Sequence, residues 1–198
     1  MNLVWEISLF VLAVASTPLV EFSQDLQDQY NHTWNQFKAF SDSFANEQKS
    51  KLAKKRKLSP QESQFFDFMN LQLYPYVKDY SNMAESVTRL HNLETLVVRT
   101  VDVEDRRKAM ALLLGYCEAF VDRILLVLTS IENFCTAEVV IGLSNTLTPL
   151  ISVLSESKAQ WTQMQTRLNK DLHPKFRSEF KLDVALDHTG LITITEIL

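Results

Sequence analysis

The sequence predicts an all-α chain, and three observations predict it. Apolar residues recur at alternating steps of four and three along most of the chain, glycine and proline number only three and five in 198 residues, and strand-like alternation is confined to the C-terminus. Turn-rich β folds need far more glycine and proline. A length of 198 residues suits one domain with a sizeable core. The expected architecture is an antiparallel bundle of four long helices kinked at Pro75 and Pro149, then a short C-terminal helix and an extended tail. Its boundaries read as a leader over residues 1–15, one helical-bundle domain over 16–186 and a tail over 187–198.

Met1 to Val20 carries an uninterrupted apolar stretch from Ile7 to Ala15, with small residues at Ala13 and Ala15. That is the length of a signal-peptide core with an A-x-A cleavage pattern, and too short to span a bilayer. Against it, Glu6 precedes the core where Lys or Arg is expected, and Leu12, Leu19, Phe22 and Leu26 are also in phase for one long buried helix. Cleavage after Ala15 is the preferred reading. Thr17-Pro18 then opens the first helix, with a capping oxygen and a first-turn proline. This helix should run to about Gln48 with an aromatic inner face of Phe22, Tyr30, Trp34, Phe37, Phe40 and Phe44, a stripe that reads as core. Asn31-His32-Thr33 is an N-glycosylation sequon, meaningful only on a secretory route.

Lys49, Lys51, Lys54, Lys55, Arg56 and Lys57 place six positive charges in nine residues. They close the first helix where its dipole favours cations, and their mutual repulsion keeps them exposed. A solvated linker accounts for them as well as any contact patch does. Ser59-Pro60-Gln61-Glu62 then opens the second helix as a capping box with proline at the first helical position. The stripe Met69, Leu73, Tyr76, Tyr80, Met83, Val87, Leu90 and Val97 keeps its phase across Pro75, which predicts a kink near Leu71–Pro75 rather than a stop. The β-branched run from Val97 to Val103 reads as a connection.

Asp102 and Asp105 cap the third helix, which carries the clearest pattern of all: Met110, Leu114, Cys117, Val121, Ile124, Leu128, Ile131 and Cys135. Leu113, Phe120, Val127 and Phe134 widen that face, and Tyr116, Asp122, Arg123, Thr129 and Ser130 lie opposite, toward water. In one continuous helix the two cysteines, 18 residues apart, stand about 27 Å from each other along the axis. A disulfide tolerates a Cα separation of only about 7 Å, so they cannot pair with each other. Buried thiols are the expectation, which sits awkwardly with secretion. A fourth helix restarts near Thr136 and Glu138 and carries Val140, Leu143, Leu147, Leu150, Leu154, Trp161, Met164, Leu168 and Leu172. His173-Pro174 disfavours helical geometry at His173, and a short helix with Phe176 and Phe180 follows. After Gly190, the β-branched alternation of LITITEIL has no strand elsewhere to pair with.

Chemistry is hard to place. No nucleophile elbow, glycine-rich phosphate loop or H-E-x-x-H occurs, and Asp183, Asp187 and His188 read as a polar end rather than a metal site. No cofactor and no catalysis is expected. The net charge of -4 gives no general attraction to nucleic acid. The leading expectation is a secreted, glycosylated helical protein that binds a protein partner or a hydrophobic ligand between helices. The alternative is cytoplasmic. Long kinked helices with apolar stripes resemble the architecture of BAR domains in element length, and the resemblance implies a homodimeric scaffold meeting anionic membrane surfaces through the basic run.

Overall fold

A computed structural model describes residues 3–54, 57, 59–136, 144–176, 182–186 and 192–196. The helices are α1 (Leu3–Ala53), α2 (Pro60–Asp67), α3 (Tyr74–Asn82), α4 (Ala84–Arg99), α5 (Val103–Thr136), α6 (Ser144–Arg167) and α7 (His173–Phe176). Two π-helical segments, Phe68–Leu73 and Leu168–Leu172, join α2 to α3 and α6 to α7. The helical class is as the sequence predicts. The exception lies at the C-terminus, where Leu182–Leu186 (β1), at the end of the expected bundle domain, pairs antiparallel with Ile192–Glu196 (β2) of the expected tail, Val184 opposite Ile194. The C-terminal alternation therefore does have a strand to pair with, because LDVAL supplies a second short run of strand-like alternation.

Both π segments have the same local cause. Pro75 has no N–H to donate to the Leu71 carbonyl, and its ring would strike that oxygen in a regular α-helix. The chain widens by one residue instead, and the Tyr74 N–H reaches back to the Met69 carbonyl. Before Pro174, the His173 N–H reaches back to Leu168 in the same way. His173 is therefore helical, with φ -51° and ψ -47°, where the sequence argued for a break. The widened turn moves the clashing carbonyl aside, so the residue before proline need not leave the helical region.

Three other boundaries differ from expectation. Helix α1 begins at Leu3 and has Pro18 in its interior rather than at its start. The second expected helix is interrupted by a turn at Met83, between α3 and α4. Residues 97–99 belong to α4, so the connection to α5 is only residues 100–102. There the Asp102 carboxylate accepts the N–H groups of Glu104 and Asp105, both at 2.9 Å. Arg106 closes the turn by donating from Nε to the Thr100 carbonyl at 2.8 Å. The expected Phe44, Glu62, Tyr76, Val140, Leu143 and Phe180 side chains, and the restart at Glu138, lie outside the described residues.

The chain divides into two compact units. The first comprises residues 1–29, 83–123 and 161–198. Its described core is Leu19, Phe22 and Leu26 of α1, Leu90 and Val97 of α4, Leu113, Cys117, Phe120 and Val121 of α5, and Trp161, Leu168 and Leu172. Phe120 and Trp161 meet edge to face with centroids 5.9 Å apart. Arg167 lies over the Phe22 ring and pairs with Asp25, tying the end of α6 to α1.

The second unit comprises residues 30–82 and 124–160. Tyr30 and Phe37 of α1, Met69, Leu73 and Tyr80, Ile124, Leu128 and Ile131 of α5, and Leu147, Leu150 and Leu154 of α6 are buried in it. Phe68 stacks on Phe134 at 5.2 Å, and Lys158 of α6 pairs with Glu132 of α5. Every residue of the principal α5 stripe, from Met110 to Cys135, is buried. Tyr116, expected toward water, is buried as well, at 3% exposure.

Candidate functional site

Asn31 is exposed on α1, in the second unit, while Thr33 of the same triplet is fully buried. Helical winding explains the contrast, since residues two apart face nearly opposite directions. Of the basic run, Lys49, Lys54 and Lys57 are exposed, and Lys51 pairs with Glu47 one turn back at 2.7 Å. Lys55 and Arg56 lie outside the described residues.

Sequence reasoning missed the groove beside the first π segment. Phe37 and Phe40 of α1, Met69 and Leu73 of the π segment, Tyr74 and Val77 of α3, and Leu150 of α6 line a recess of about 50 Å³. Tyr74, one of its lining residues, is 60% exposed, and Leu71 of the π segment is 74% exposed. The available signal was Pro75, which accounts for the widened turn that carries Met69 and Leu73. A recess of this size takes the tip of one side chain, whereas pockets for small molecules usually enclose about 300–1,000 Å³. The second π segment adjoins a larger concavity of about 350 Å³. It is open and lined by Thr162, Gln163, Thr166, Arg167, Lys170 and Asp171.

A buried polar seam runs through the first unit. Glu94 of α4 is 4% exposed, and its carboxylate accepts the Gln27 Nε2–H of α1 at 2.6 Å. His91 Nδ1 stands 3.6 Å from the other oxygen of that carboxylate. Burial raises the Tyr116 hydroxyl above its ordinary range, and Ser86 and Arg89, which approach it without hydrogen-bond geometry, act against that rise. Burial likewise pushes the Cys117 thiol far up, with Ser23 working in the opposite direction. In the second unit, burial first and the Glu132 charge second raise Cys135 to about 11. A nucleophilic cysteine needs its thiolate near neutral pH, and these environments oppose it.

Both cysteines are free and buried. Among the described residues, no three His, Cys, Asp or Glu side chains come together in a way that could hold a metal ion. Asp183 is in β1, while Asp187 and His188 lie outside the described residues. No described helix is long and apolar enough to cross a membrane. Compared with known proteins, the chain matches no family model, no curated protein and no solved structure.

Proposed function

We propose that this is a secreted helical protein, four long antiparallel helices in architecture, that acts by binding a protein partner through the face bearing Leu71 and Tyr74. The observation that carries the reading is the exposed Tyr74 ring on the lining of a recess the size of one side-chain tip, with exposed Leu71 three residues before it. Aromatic anchors set in or beside small pockets are the usual energetic centres of protein interfaces. A hydrophobic ligand held between helices is less favoured, because the recess encloses only about 50 Å³.

Removal of residues 1–15 as a leader would shorten α1, which begins at Leu3. Pro18 would then stand in the first turn, where its missing N–H has no helical acceptor to lose. Buried, high-pKa thiols also reconcile two unpaired cysteines with an oxidising compartment, since exchange proceeds through the thiolate.

Site-specific photo-crosslinking tests the interface. A photoreactive phenylalanine analogue at Tyr74 should give a discrete protein adduct that is lost in Leu71→Asp, while the same probe at exposed Glu156 should give none. Equal adducts at both positions, or none at Tyr74, would remove the reading. The exposed Lys49, Lys54 and Lys57 favour a second reading, an intracellular dimer contacting anionic membranes. That reading requires salt-sensitive sedimentation with phosphatidylserine vesicles, abolished by charge reversal at those lysines.

A further inference from the structure

We propose that Asn31 receives its glycan only while the chain is still unfolded, and that winding of α1 then closes the sequon behind it. This rests on the secretory reading above. The transferred bond is simple to balance. The Asn31 amide nitrogen bonds to the anomeric carbon of a lipid-pyrophosphate-linked oligosaccharide, the carbon–oxygen bond to phosphate breaks, and the lipid pyrophosphate leaves with the electron pair while the amide gives up one proton.

The motif requires the asparagine and the hydroxyl two residues later to be read together. In an extended chain, residues i and i+2 lie on one side. In an α-helix they are turned about 200° from each other around the axis. Helix α1 shows the consequence: Asn31 is exposed, whereas Thr33 is fully buried and already engaged within the protein. The neighbouring residues hold this winding in place, because Tyr30 and Trp34 both lie against the Tyr80 ring, at 4.9 and 6.5 Å between centroids. No transferase approaching from the Asn31 side of folded α1 meets the Thr33 hydroxyl. The glycan itself costs the fold nothing, since Asn35, Lys38 and Asp42 continue an exposed stripe from Asn31.

The test has three arms: translation of the full chain into microsomes with its own N-terminus, the same with a heterologous cleavable leader, and incubation of purified, folded, unmodified protein with solubilised transferase and lipid-linked donor. The expected result is a glycosidase-sensitive mobility shift in the translated chains, absent from Asn31→Gln, and no shift in the folded protein. Modification of the folded protein to the same extent would overturn the proposal, as would no shift under the heterologous leader. A shift with the heterologous leader alone would uphold this inference while overturning the secretory reading.

Discussion

Tyr30 and Tyr80 clasp each other across the second unit. Their rings stack 4.9 Å apart and 3° from parallel, and each hydroxyl donates to the other residue's main-chain carbonyl, at 3.0 Å from Tyr30 and 3.3 Å from Tyr80. Phe37 meets the same Tyr80 ring edge-on at 5.3 Å. Tyr30→Phe keeps the stack and loses one donor, so urea denaturation should show a loss of about 0.5–1.5 kcal/mol. Tyr30→Ala loses ring and donor together and should cost about 3–5 kcal/mol. Equal losses for the two variants would mean that the stack contributes nothing.

Burial raises Tyr30 to about 12 from an ordinary value of 10.0. Between those values the folded chain holds a proton that the unfolded chain has released, so stability falls as pH rises through that window. Tyr116 is raised in the same sense and adds to the fall. Urea midpoints of the native protein should decline from about pH 10 upward, and Tyr30→Phe should decline less. Parallel curves for the two would contradict the burial of the Tyr30 hydroxyl.

Asp102 satisfies two N–H groups at the start of α5. Asp102→Ala should destabilise by about 1 kcal/mol in thermal or urea unfolding, and Asp102→Asn by less. An unchanged midpoint in the alanine variant would place the helix start elsewhere.

Cys117 and Cys135 should both resist a thiol reagent at pH 8 in the folded protein and both react after denaturation without reductant. Two thiols per denatured chain is the expected titration. Finding none, with unchanged monomer mass, would require the cysteines to be joined and α5 to be broken.

Much of the fold was legible because its strongest signals are periodic. The Met110–Cys135 stripe is buried throughout, and Asp102 and Pro60 mark helix starts as expected. The failures are tertiary or arise from backbone adjustments. Tyr116 lies off the stripe by position, yet α4 approaches α5 closely enough for Ser86 and Arg89 to cover it. The continuation through His173 depends on a π turn ahead of Pro174, which keeps the residue before proline helical where a break was expected. β1 was passed over because LDVAL is too short to stand as a strand without its partner.

Compartment decides whether Asn31 meets a glycosyl transferase and whether residues 1–15 stay on the chain. Intact mass and N-terminal sequencing of the protein recovered from its producing cells would test it in one experiment. The expected result is a mature chain beginning at Ser16 and carrying carbohydrate on Asn31. An unmodified chain retaining residues 1–15 would contradict it.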